Sequence, residues 1–320
     1  MWMVKQMSKP VVFVTGLGKP VTRAENLYTL YQAYPGEKKI MSMHDMGWET
    51  EAKKASVMVC DIFPTCHPCP TIMMWHAIQG GKYIGLDEKT TYYHKEYADF
   101  MDAIVVAGYG GVVMFNRCTG VPKKRIFNLG MPRTDRYKGK KKGDGGTPYA
   151  KAKRVYLFVP TFRNWKETPM PCIDWGFFSN ELTDDEVLIV KPHPYGNPIN
   201  VNGLKHLVEA NKMTPTVNYL YDADVIITDY SSVMFDGWLL NKPAVLFEKN
   251  PGYTKTRGMY LEYPNQYSSR YARNEQELLD LMRSAKRLTK VEKECREFVA
   301  NACDGHSCER IIALIDEMKG

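Results

Sequence analysis

The sequence predicts an α/β protein of two consecutive halves, each a parallel sheet with crossover helices. Three observations carry this. Short apolar runs alternate with helically spaced segments, the pattern of parallel strands linked by helices. A polar, Gly-rich stretch without periodicity, Tyr137 to Thr147 (YKGKKKGDGGT), divides the chain nearly in half. The length of 320 residues suits two domains at about 150 residues each.

In the first half, Pro10 to Leu17 (PVVFVTGL) reads as a buried strand closed by Gly16 and Gly18. Arg23 to Tyr34 supplies the following helix, with Leu27, Leu30 and Tyr31 on one face. Ala55 to Cys60, Thr71 to Met74, Ala103 to Ala107 and Arg125 to Leu129 are further strand-like runs. After the Gly-rich stretch the alternation resumes: strands at Val155 to Val159 and Val187 to Val190, a helix-like Gly203 to Asn211, a strand at Val225 to Thr228, a helix from Ser232 to Leu240, and a strand at Ala244 to Phe247. Glu275 to Lys319 is mostly helical in pattern. The expected division is therefore an N-terminal domain over 1–137, a flexible basic linker over 138–148, and a C-terminal domain over 149–320 that keeps the terminal helices. Ligands tend to bind in the cleft between such domains.

Composition narrows the class. With 44% hydrophobic and 25% charged residues the chain is neither collagen-like, low-complexity nor disordered. The uncharged run Ala103 to Asn116 is shorter than the roughly 18 residues of a membrane span. The first ten residues lack the apolar stretch of a secretory signal, so the cytoplasm is the expected location. Eight unevenly spaced Cys beside 18 Met read as reduced thiols. Net charge is +7, with nine basic residues between Lys123 and Lys142 against one acid, Asp135. Lys138, Lys140, Lys141 and Lys142 are candidates for contact with an acceptor, nucleic acid or an anionic membrane surface; a solvated linker is the competing reading.

Four segments carry candidate chemistry. In Ala223 to Phe247, a strand runs into Thr228-Asp229-Tyr230-Ser231-Ser232 and then a helix. Ser231 or Ser232 would cap that helix, where free N–H groups and the dipole favour phosphate. Asp236, one turn in, would reach a ribose hydroxyl or complement the dipole. In LIVKPHP, a strand delivers Lys191 and a proline-braced His193 to the carboxyl end of the sheet, where ligands of open α/β sheets lie. In Ile72 to Asp87, His76 follows a strand, placed to act as general base on an acceptor hydroxyl. Arg163 in VPTFRN offers bidentate phosphate contacts; Arg257 and the pair Arg133 and Asp135 are less well placed and read equally as surface ion-pair partners. Cys66, His67 and Cys69 form a CxxC-like unit, but no second pair has zinc-site spacing, so no metal is expected. GxxxxGK[ST], HExxH and GxSxG are missing, and GLGKP is only a fragment of a dinucleotide fingerprint.

Taken in order, WHAIQGGKYIGLD (75–87), GMPRTD (130–135), VPTFR (159–163), VKPHP (190–194), ITDYSSVMFD (227–236), NKPAVLF (241–247) and DGHSCERI (304–311) resemble the CDP-glycerol glycerophosphotransferase family of teichoic acid and capsule synthesis. The resemblance implies a GT-B fold, two Rossmann-like domains facing a central cleft, with the donor nucleotide held by the second. It also implies metal-independent transfer with no cofactor, a CDP-linked donor as substrate, His76 as base, His193 at the donor phosphates or leaving group, Ser231 and Ser232 at the diphosphate, and Arg163 nearby. Ala77 stands where the family usually has Gly, and Gln79-Gly80-Gly81-Lys82 replaces a lysine-rich turn, so the acceptor side departs from the pattern.

The expected activity is transfer of glycerol phosphate or a related polyol phosphate from a CDP-linked donor to an acceptor hydroxyl on a glycan or polyol polymer. A single transfer is expected over polymerisation, and peripheral membrane contact is compatible with it. Two alternatives are a GT-B glycosyltransferase that uses a CDP- or UDP-linked donor sugar and whose acceptor is a glycan or a hydroxylated DNA base, and a non-catalytic nucleotide-binding module.

Overall fold

The computed structural model describes residues 9–18, 20–21, 24–64, 68–80, 100–161, 173–193, 199–211, 214–249, 259, 261–262 and 264–319. They form two compact units. Among these residues, the first unit takes those up to Gln79, those from 100 to Lys138 and those from Val299 onward; the second takes Gly80 and Gly139 to Phe298.

The first unit is built on six parallel strands, β1 (Val11–Thr15), β2 (Lys38–Ser42), β3 (Val57–Cys60), β4 (Thr71–Met74), β5 (Ala103–Val106) and β6 (Ile126–Asn128), in the order β2-β1-β3-β4-β5-β6. A parallel sheet covered on both faces needs continuous apolar strands rather than alternating ones, and β1, β3, β4 and β5 are buried at every position. Val11 and Phe13 join a core with Leu27, Leu30, Ile311 and Ile315. Val12 and Val14 point to the opposite face, against Trp48, Ala52 and Met58. Five strands fall within predicted runs. The sixth, β2, carries Lys38 and Lys39 and lies at the sheet edge, where lysine discourages further pairing; its polarity hid it. Helix α1 (Glu25–Ala33) lies within the predicted helix, whereas α2 (Trp48–Lys53) and α3 (Tyr109–Thr119) were not foreseen.

The second unit holds β7 (Arg154–Phe158), β8 (Glu186–Val190), β9 (Leu207–Glu209), β10 (Val225–Thr228), β11 (Ala244–Phe247) and β12 (Tyr271–Ala272), again parallel, in the order β12-β11-β10-β7-β8-β9. Its helices are α4 (Trp175–Glu181), α5 (Thr216–Asp222), α6 (Val233–Leu239) and α7 (Glu275–Ser284), followed by α8 (Lys290–Ala300). Strand order reverses between β7 and β10, which is the doubly wound Rossmann arrangement with its ligand crevice at that switch point. The helix expected over Gly203 to Asn211 is instead β9 and its approach. His206 adopts φ 64, incompatible with a continuing right-handed helix, and its carbonyl accepts from Leu188 N at 2.8 Å to open the ladder with β8.

Two expectations about domain limits are corrected. Residues 299–319 do not stay with the second half: in α9 (Ser307–Met318), Ile311, Leu314 and Ile315 bury against Leu27, Leu30 and Tyr34 of the first unit. The Gly-rich stretch is not a flexible linker either. The fully buried Asp222 carboxylate accepts from Gly143 N (2.8 Å), Gly145 N (3.1 Å), Thr147 N (3.0 Å) and Thr147 Oγ1 (2.6 Å). A Cβ at Gly145 would stand 1.9 Å from the Asn218 carbonyl oxygen, so glycine is required by the close approach of this loop to α5.

Candidate active site

In the first unit the loop after β4 carries His76, partly exposed at the carboxyl edge of the sheet. Its backbone is held from two elements. Asn26 of α1, 2% exposed, donates from Nδ2 to the carbonyls of Trp75 (3.2 Å) and His76 (3.4 Å). Arg133, from the 3₁₀ turn Pro132–Tyr137, donates from Nη1 to the His76 carbonyl at 2.7 Å, and its own N–H goes to Asn26 Oδ1 at 3.2 Å. The far end is tied by Gln79, whose Oε1 accepts from Ala107 N at 3.1 Å. The Trp75 ring lies 4.6 Å from the imidazole and packs edge-on against Phe115. Arg133 is therefore buried in this loop, not a surface ion-pair partner. Asp135 serves structure too, capping α9 through Ser307 N and Cys308 N.

Strand order in this sheet reverses between β1 and β3, and Asp61 stands directly after β3 at that point. It is 1% exposed, with Thr15 Oγ1 donating to Oδ2 (2.7 Å) and Gly16 N to Oδ1 (2.9 Å). Burial pushes its carboxyl up to about 6, against the lowering effect of those two donors. Neither Asp61 nor Asn26 was a sequence candidate. An acid closing the apolar run VMVC and an amide on the apolar face of a predicted helix were the available signals.

In the second unit the candidates leave neighbouring strands at one edge, since Phe158 pairs with both Val190 and Ile227. At the switch point, Asp229 Oδ1 accepts from Thr161 N (2.9 Å), Thr161 Oγ1 (2.6 Å) and Tyr230 N (2.6 Å), stapling the segment after β7 to the turn after β10. Thr228 adds a second tie, donating to the Val159 carbonyl (2.6 Å) while accepting from Ser231 N (3.2 Å). Ser231 and Ser232 follow, both half-buried. Ser231 Oγ accepts from Val233 N at 3.4 Å, whereas the Ser232 side chain makes no cap bond, so capping falls to Ser231 alone. Asp236 is buried within α6.

After β8, Lys191 extends the ladder through N–H to the Phe158 carbonyl (2.9 Å). Its side chain is buried, with Nζ 3.5 Å from the Asn211 carbonyl and 5.3 Å from the Tyr219 ring centroid. This ammonium is held among protein groups between β9 and α5. His193, two residues on, is partly exposed. Arg163 and Arg257 lie outside the described residues, as do Cys66 and His67. Among the described residues no three His, Cys, Asp or Glu side chains are grouped to hold a metal, and no helix is long and apolar enough to cross a membrane.

The basic segment is not a continuous free cationic track. Lys142 Nζ pairs with Asp224 Oδ2 at 2.7 Å and donates to the Ala152 carbonyl at 2.9 Å. Lys140 Nζ sits 5.6 Å from the Tyr221 ring centroid, Arg125 bonds the Met101 carbonyl and Arg136 bonds Gln32 Oε1. Lys138 and Lys141 are exposed. Much of the charge that stood out in the sequence fastens these turns to the body of the protein.

Comparison with known proteins agrees with this architecture. The chain is 24% identical over 322 aligned residues to the teichoic acid poly(ribitol-phosphate) polymerase of Bacillus spizizenii, covering 92% of this chain and 52% of the relative. It is 25% identical to the teichoic acid glycerol-phosphate primase of Bacillus subtilis, covering 77% and 68%. The chain thus spans about half the length of the first relative. A structure of the wall teichoic acid polymerase TagF superposes with a TM-score of 0.77 at 17% identity, covering 97% of this chain and 89% of that one. That likeness shows the fold, an α/β GT-B class with two Rossmann-like domains. Residues 23–317 match the family described as CDP-Glycerol:Poly(glycerophosphate) glycerophosphotransferase, and the chain belongs to that family.

Proposed function

We propose that this protein transfers glycerol phosphate, or a related polyol phosphate, from a CDP-linked donor to a hydroxyl of a polyol or glycan acceptor. The observation that carries the reading is the family match over 23–317, which includes both histidine segments. The acceptor oxygen attacks the phosphorus that bears the glycerol, a new O–P bond forms, and the bond to the bridging oxygen of CMP breaks. CMP departs with that electron pair. The hydroxyl proton passes to His76, whose loop is fixed at both ends while the imidazole stays at the sheet edge. His193, Ser231 and Ser232 are the residues for the diphosphate, because they leave β8 and β10 beside the Rossmann switch point, with Arg163 and Asp236 as further donor-side candidates. Lys191 acts there mainly as buried positive charge behind the site.

The relatives named above act on teichoic acid glycerol and ribitol phosphates, which supports a polyol phosphate polymer as acceptor. A DNA acceptor draws no support from the engaged basic segment. The test is CMP release from CDP-glycerol in the presence of polyol phosphate acceptors. His76→Ala should abolish turnover and leave CDP-glycerol binding nearly intact; absence of CMP release by the unaltered protein with every acceptor overturns the reading.

A further inference from the structure

We infer that Arg133 and Asn26 are positioning residues for His76, a buried two-point clamp that sets where the imidazole stands. The inference rests on the reading of His76 as base, but its geometry does not. Arg133 Nη1 and Asn26 Nδ2 converge on one acceptor, the His76 carbonyl, at 2.7 and 3.4 Å. Asn26 also takes the Trp75 carbonyl, so the peptide oxygens on both sides of the His76 Cα are held by one amide. The clamp is closed on itself, since Arg133 N–H donates to Asn26 Oδ1 at 3.2 Å.

Both clamp residues are more than nine-tenths buried. A guanidinium removed from water is costly unless its donors find acceptors, and here Nη1 is directed at a backbone carbonyl of the loop. A neutral side chain of similar length fills the same space without that bond. The requirement is therefore for the donor itself. Buried hydrogen bonds of this kind are directional, and reacting groups tolerate little displacement: a shift of about 1 Å can cost about 100-fold in rate. The clamp acts on the backbone, and the ring itself lies against Trp75. Gln79 completes the support from the other end of the loop through Ala107 N.

The experiment compares Arg133→Met, Arg133→Lys and Asn26→Ser in the full chain, each checked for folding by its urea midpoint. With CDP-glycerol and a polyol phosphate acceptor, Arg133→Met should lower kcat about 10- to 100-fold with KM for CDP-glycerol within about twofold. Arg133→Lys, which keeps one donor, should recover part of the loss. Independently of activity, the NMR resonances of the His76 ring should shift in Arg133→Met and move back in Arg133→Lys. If the unaltered protein releases no CMP, the function proposed above fails, and the ring resonances still decide the clamp. Unchanged kcat and unchanged His76 resonances in a folded Arg133→Met protein overturn it.

Discussion

The Asp135 carboxylate caps a helix that begins 172 residues later in the chain: Oδ1 accepts from Ser307 N at 2.9 Å, and Oδ2 accepts from Cys308 N at 2.7 Å. Two residues of the GMPRTD segment, with Thr134 between them, thus face different ways, Arg133 toward the His76 loop and Asp135 toward α9. The His306 that precedes α9 makes no side-chain cap, so Asp135 supplies it from outside. Asp135→Ala should destabilise the first unit by about 1–2 kcal/mol, read as a lowered urea midpoint with unchanged m-value. Asp135→Asn, which keeps an acceptor, should lose less. A wild-type midpoint in the alanine variant would remove the cap from the stability of this unit.

Asp222 has a comparable part in the second unit. Four donors from the Gly143–Thr147 turn converge on its buried carboxylate, and Asp222→Ala orphans all of them. The expected loss is about 2 kcal/mol or more. Trypsin should then cut faster after the exposed Lys140 and Lys141, beside the released turn. Equal digestion of variant and unaltered protein would show that the turn is held by other contacts, such as Asn218 Nδ2 to the Gly145 carbonyl.

Sequence reading reached the strands because they are buried on both faces, so that VVFVT, VMVC, AIVV and VIIT stand out as apolar runs without any tertiary information. It proposed His76, His193, Ser231 and Ser232 as site residues because residues that follow such strands mark the carboxyl edge. It missed β2 and β9, whose polar or helically spaced residues become strands only through their neighbours, and the two-residue β12. The functions of Arg133 and Asp135 were equally invisible, since each depends on a partner at the far end of a long sequence separation, 57 residues to His76 and 172 to Ser307. The basic segment misled for the same reason: Lys142 looks free until Asp224, 82 residues on, is placed beside it.

Asp61 predicts a pH dependence of stability. Its carboxyl is raised from 3.8 to about 6 in the folded protein, first by burial. The folded state therefore holds this proton more tightly than the unfolded chain does. Stability from Asp61 is greatest below the unfolded value and falls as pH rises from about 4 to about 6, then levels off. The difference between those two values corresponds to about 3 kcal/mol at most. Asp61→Asn, which has no proton to lose, should gain on the unaltered protein by up to that amount across this window in urea titrations at successive pH values. Parallel stability curves for the two proteins would contradict a raised carboxyl at this position.

Asp229 tests whether the donor side depends on the staple between β7 and β10. Its Oδ1 gathers Thr161 N, Thr161 Oγ1 and Tyr230 N, so the backbone entering Ser231 and the segment after β7 share one acceptor. In Asp229→Ala those three donors lose their partner within a buried edge, and the turn that presents Ser231 and Ser232 loosens. Calorimetry with CDP-glycerol should show affinity reduced about tenfold or more, corresponding to about 1.4 kcal/mol. Asp229→Asn retains an oxygen in the same place but without charge, and neutral acceptors bind about half as strongly as ionised ones; its loss should be intermediate. If instead Asp229→Asn were as damaging as Asp229→Ala, the negative charge itself, rather than the stapling geometry, would be what the site requires. If neither variant altered affinity, the switch point of the second sheet would not hold the donor, and Ser231 and Ser232 would fall from the site with it.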